Sequence, residues 1–132
     1  MSGISVIPLA SAGQTGNNTH ASIALPEAPA RLAFALIVTA IGAGPTVTWK
    51  VQVSADPPDV TDANSTWVDL IYFTAGTNDT LAVATRAVTT VSRDTVFLDD
   101  ANGARFFRKA RLVTTLNTNV TYRGECVAQA RN

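Results

Sequence analysis

The stretch Thr46-Val47-Thr48-Trp49-Lys50-Val51-Gln52-Val53-Ser54 decides the fold. Val47, Trp49, Val51 and Val53 point one way, and Thr46, Thr48, Lys50, Gln52 and Ser54 the other. That two-residue period is a strand with one face in a core and one in water. Just upstream, residues 32–40 place Leu32, Phe34, Leu36 and Val38 on one face and Ala33, Ala35, Ile37 and Thr39 on the other. Both faces are fairly apolar, so this is a central or doubly covered strand. Gly42-Ala43-Gly44-Pro45 is the turn between the two.

Working outward, residues 66–74 alternate Val68, Leu70 and Tyr72 against Trp67, Asp69, Ile71 and Phe73, and close on a turn at 76–79. Residues 80–91 are rich in Thr, Val and Ala and read as one long strand or two short ones. Residues 95–98 form a short strand before Asn102-Gly103, a strong hairpin signal. Residues 105–116 and 120–130 then pair across Asn117-Thr118-Asn119. Seven to eight short strands at intervals of 10 to 15 residues predict an all-β, antiparallel, jelly-roll-like β-sandwich over residues 31–132. The first thirty residues differ. Ser11 to His20 is small and polar, and Pro26-Glu27-Ala28-Pro29 follows, so residues 1–30 read as an extended arm with strands at 4–7 and 21–25.

Composition agrees with this pattern. The 132 residues include 18 Thr but only two Glu and two Lys, so helix formers for a solvated face are scarce. Ten Lys+Arg balance ten Asp+Glu, and 15% of residues are charged, against roughly 25% in an ordinary soluble domain. The basic residues are scattered, which argues against a protein that grips phosphate backbones, and no membrane partner is indicated. The mass corresponds to one domain, with about two-thirds of the chain's surface buried on folding. The single Cys126 has no disulfide partner in the chain, and residues 1–16 lack a basic region and a long apolar run. Synthesis and folding in a cytoplasm are expected.

Candidate chemistry is sparse. His20 sits beside Asn17, Asn18 and Thr19, with no nucleophile-elbow motif anywhere in the chain, so no catalytic residue is assigned. Cys126 shares a strand face with Tyr122 and Gly124 and reads as a buried small hydrophobe. One His and one Cys do not make a structural zinc site. Asp56, Asp59 and Asp62 offer hard oxygens of the kind calcium takes, but without EF-hand spacing and around a stiff Pro57-Pro58 insert, so a solvated loop is the favoured reading. No cofactor is expected. Asp99-Asp100 reads as turn chemistry. Four Asn-x-Ser/Thr triplets, at Asn17, Asn64, Asn78 and Asn119, carry no glycosylation claim without a secretory signal. Trp49 and its alternating valines read as core, whereas Trp67 and Tyr72 leave a sugar-stacking platform open.

Arginine outnumbers lysine eight to two, and Arg105, Lys109 and Arg111 fall on one face of the strand read at 105–116, with Arg108 on the other. Arginine is favoured where protein meets protein, because its planar fork makes paired contacts and is weakly hydrated. The candidate interaction residues are therefore Gln14, Asn17, Asn18 and His20 in the arm, and Arg105, Lys109 and Arg111 in the strand.

The runs 47–56, Ser65-Thr66-Trp67-Val68-Asp69-Leu70 and Arg105-Phe106-Phe107-Arg108-Lys109-Ala110-Arg111-Leu112 resemble the cadence of small β-sandwich proteins on the virions of tailed bacteriophages. The resemblance covers about residues 32–127. It implies a non-enzymatic capsid decoration, or cement, protein on the outer shell. Such a protein contacts the major capsid protein and neighbouring copies, with a trimer as the expected oligomer. A head-tail or tail component and a carbohydrate-binding module are the alternatives.

Overall fold

The computed structural model describes residues 4–11, 16–26, 29–41, 46–70, 86–99, 104–116 and 120–129. Among these, ten strands form two antiparallel sheets. The strands are β1 (Ile4–Ser11), β2 (Gly16–Thr19), β3 (Ile23–Ala24), β4 (Arg31–Ala40), β5 (Val47–Ser54), β6 (Val68–Asp69), β7 (Arg86–Val88), β8 (Ser92–Asp99), β9 (Lys109–Leu116) and β10 (Thr121–Gln129). The first sheet runs β1-β10-β4-β8. The second is built on the β9-β5 pair, with β2 and β3 along the outer edge of β9 and β6 and β7 along that of β5. The chain is thus an antiparallel β-sandwich, as the alternation predicts.

Ten strands replace the expected seven or eight because three from the arm join the seven of residues 31–129. The arm contributes three, because its backbone completes sheet edges instead of extending away. β1 pairs with β10 from Ile4 to Ser11, passing a bulge between Pro8 and Ala10, while β2 and β3 pair with β9. A proline and a bulge are both tolerated on an edge strand, where one row of backbone groups has no partner to lose. Among the described residues, the second sheet's outer strands are two- to four-residue pieces. The strand read at 66–74 is observed as Val68–Asp69, and the one at 80–91 as Arg86–Val88. Residues 71–85, and with them Tyr72, lie outside the described residues, as do the turns read at 42–45, Asn102-Gly103 and 117–119.

The core lies between the sheets. Directly opposed residues on antiparallel strands share a face, so the registers give its inner rows. In the first sheet these are Leu32 with Ala128 and Leu98, Phe34 with Cys126 and Val96, and Val38 with Tyr122. In the second they are Val47 with Leu116, Trp49 with Thr114, Val51 with Leu112, and Val53 with Ala110. All of these side chains are buried. At about 25 cal/mol per Å² of apolar surface removed from water, this layer is the main favourable term in the fold.

Candidate functional site

Polar groups gather at two places, one inside the sandwich and one on the outer face of the second sheet. Inside, Trp49 Nε1 of β5 donates to Asp94 Oδ2 of β8 at 2.9 Å, across the two sheets. Beside it the Tyr122 hydroxyl of β10 shares hydrogen bonds with Thr114 Oγ1 of β9 (2.9 Å) and with His20 Nε2 (2.6 Å). The His20 ring meets Tyr122 edge-on, and its backbone N–H donates to Leu112 O. Burial holds the imidazole below its ordinary pKa, favouring the neutral ring, and pushes the tyrosine hydroxyl up, which Thr114 partly offsets. His20 is therefore a fastener between the arm and both sheets. Its bonding partner is a phenol held protonated, not a nucleophile paired with a carboxylate.

The second cluster is built around Lys109, the first residue of β9. Its outward-facing side chain is 1% exposed, because the 55–67 loop folds over it. Nζ donates to Val60 O (2.8 Å) and to Ser65 Oγ, and lies 3.9 Å from Asp62 Oδ1. Asp62 also accepts from Ser22 N (3.1 Å) and Ser22 Oγ (2.5 Å), tying the arm to the loop. The Trp67 ring closes the loop, with Nε1 on Asp62 O and its face beneath Arg111 (4.2 Å) and Lys109 (5.3 Å). Arg111 Nε reaches Gln52, Gln52 donates to Asp69, and Lys50 pairs with Asp69 at 3.2 Å.

Each carboxylate in this network is held below its ordinary pKa by the groups that donate to it. For Asp62 these are Ser22 and then the Lys109 and Arg111 charges. For Asp56 they are the Thr66 N–H, then Ser54 and the Lys109 charge, and for Asp69 they are Gln52 and then Lys50. Asp56 thus spends its oxygens on Ser54 and Thr66, and Asp62 on Ser22 and Lys109. Among the described residues, no cluster of three or more His, Cys, Asp or Glu side chains is placed to hold a metal ion.

The structure scatters the candidate interaction residues. Lys109 and Arg111 share the outer face, as the alternation has it, but Lys109 is buried under the loop and Arg111 lies against Trp67. Arg105 is in a 3₁₀ turn, Ala104–Phe106, not in the strand. The strand begins at Lys109, after that turn, and just before it Arg108 N donates to Ser54 O while Arg108 O accepts from Leu25 N. Asn17 and Asn18 lie in β2 and His20 just after it. Gln14 and the side chains of Asn17 and Arg105 lie outside the described residues. Cys126 is buried in the core, where desolvation pushes its thiol up to about 12.

Sequence reasoning missed the outer face of the first sheet. Val6, Val127, Ala33 and Phe97 are register neighbours there, one from each strand, and Val6 and Phe97 are 62% and 70% exposed. The signal was present in the odd-numbered parity of β8, which places Phe97 on the same face as Arg93.

No protein-family model and no curated protein sequence matches the chain. Among solved structures, infectious bursal disease virus, Gx strain, is similar over 98% of this chain and 32% of that chain, at 8% identity and a TM-score of 0.51. The VP2 subviral particle of infectious bursal disease virus is similar over the same shares, at 10% identity and a TM-score of 0.50. The chain spans about a third of the length of these structures. What is shared is the fold.

Proposed function

We propose that the chain is a non-enzymatic structural protein of a virion, and specifically a decoration protein that binds the outside of a tailed-phage shell and stabilises it by protein contacts. The observation that carries this reading is the fold likeness. Nearly the whole chain, 98% of it, superposes on a part of the bursal disease virus structures, one of which is a VP2 subviral particle. The tailed-phage setting is supported by the sequence cadence over residues 32–127. An exposed apolar row flanked by arginines supports assembly with other virion proteins, since arginines and aromatics are enriched at such interfaces. A head-tail position remains the alternative site within the same reading. The carbohydrate module is disfavoured because the Trp67 ring is already occupied by Arg111 and Lys109, and Trp49 is core.

The test is genetic. Phage particles made without the chain should release their DNA at a temperature several degrees lower than complete particles, and purified chain added back should restore the difference. Particles of unchanged heat stability that bind none of the added chain would overturn the decoration role.

A further inference from the structure

The two outer faces of the sandwich carry opposite exposed charge, by the same device used in reverse. On the first sheet Arg93 and Arg123 both pair with Glu125, at 3.2 and 3.1 Å. The carboxylate is sunk, with 17% of its side chain exposed, while the guanidinium side chains are 51% and 53% exposed. Arg31 lies exposed on the same face, on the far side of the Val6-Val127-Ala33-Phe97 row. Among the described side chains, solvent therefore meets arginines around an apolar strip.

At the 55–69 edge of the second sheet it is the cation that is sunk. Lys109 is buried, and Lys50 and Arg111 are engaged by Asp69 and Gln52. Asp59 is exposed, and the side chains of Asp62 and Asp69 are 36% and 41% exposed. Val68, 47% exposed on the same edge strand, lies opposite the core residue Val53 and faces away from Asp69. Solvent here meets carboxylates along the edge.

We infer that the outer face of the first sheet docks on the acidic 55–69 edge of a second copy of this chain. Phe97 supplies the apolar anchor, and Arg31, Arg93 and Arg123 meet the aspartates. The cations of this face are all arginine, the residue whose fork pairs with carboxylates and sheds water readily. Because the two patches differ, the contact is head to tail. Each copy offers one of each, so copies close into a ring or continue as a lattice. This deepens the virion reading and rests on it for its setting. The contact itself is measured on pure protein, so its failure and that of the virion role are separable.

The experiment is sedimentation velocity on the full chain from about 5 µM to about 0.5 mM. The wild type should form dimers and larger species, with association weakened about tenfold or more between low and high salt, since exposed charge pairs are screened. Phe97→Asp removes the face, and Asp59→Lys with Asp69→Lys removes the edge; all three positions are exposed. Each variant alone should be monomeric with a native melting transition, and Phe97→Ser replaces Phe97→Asp if the latter fails to fold. Mixed together, the two variants retain one intact face and one intact edge and should form a 1:1 pair that grows no further. A wild type that stays monomeric throughout, an edge variant that assembles like the wild type, or a mixture that stays monomeric would each overturn the proposal.

Discussion

Trp49 and Asp94 join the two sheets through the interior, with the indole Nε1 donating to the carboxylate at 2.9 Å. Asp94 is on an edge strand and faces inward, opposite Leu36. An inward charge on an edge strand discourages that strand from pairing with another chain, and here it also satisfies the one polar atom of a buried tryptophan. With the adjacent Thr114-Tyr122-His20 chain, it fixes how the sheets face one another in a core that is otherwise non-directional.

Trp49→Phe should therefore lower unfolding free energy by about 2 kcal/mol, through the lost hydrogen bond and the lost volume. In a cycle with Asp94→Ala the two losses should not add, leaving an interaction of roughly 0.5–3 kcal/mol in urea titrations. Strict additivity would mean that the bond across the sheets contributes nothing.

Lys109→Met keeps the aliphatic stem and removes the ammonium, leaving Val60 O and Ser65 Oγ without their donor and Asp62 without its nearest cation. A loss of about 2–3 kcal/mol is expected, as for hydrogen bonds to a charged group. Thermolysin should cut faster within 55–67 than in the wild type. Unchanged stability and cleavage would show that the loop is held by Trp67 and Asp62 alone.

His20 makes stability depend on pH near neutrality. Unfolded, it takes up its proton near pH 6.5; in the fold, burial lowers that value, so between the two the unfolded state binds more protons. Its contribution is fully present above about pH 6.5 and is lost as pH falls toward the folded value. His20→Gln should flatten this part of the melting-temperature profile. Asp56, Asp62 and Asp69, all lowered, add a second loss as pH falls below about 4, and Asp62→Asn should reduce it.

The Cys126 thiol, buried and pushed up to about 12, should resist a thiol reagent at pH 8 in the native protein and react within seconds once denatured. Fast labelling of the native chain would show that β10 opens from its place between β1 and β4.

The strands that alternation made legible are those with one unbroken apolar face. β5 was readable because Val47, Trp49, Val51 and Val53 all enter the core. β8 was read too short because Ser92 and Asp94 put polar atoms on its inner face, so the pattern began only at Thr95. The arm was read as extended, but its full pairing was hidden, since edge strands are held by backbone hydrogen bonds that leave little trace in side chains. Of the candidate site, the shared face of Lys109 and Arg111 was legible. The loop that buries Lys109 was not, because the contacts of Val60, Asp62 and Ser65 with it are 44 to 49 residues away along the chain. Phe97 and Val6 escaped notice because alternation marks the core face and leaves what covers the other face unsaid.

The most direct test of the proposed virion role is an electron cryomicroscopy reconstruction of purified virus particles from cells in which the chain is made during infection. The account predicts two-sheet sandwich density, repeated with the shell's symmetry on its outer surface, fitting the ten strands of this fold. Mature particles with bare shells, and no such density at the neck or tail, would contradict it.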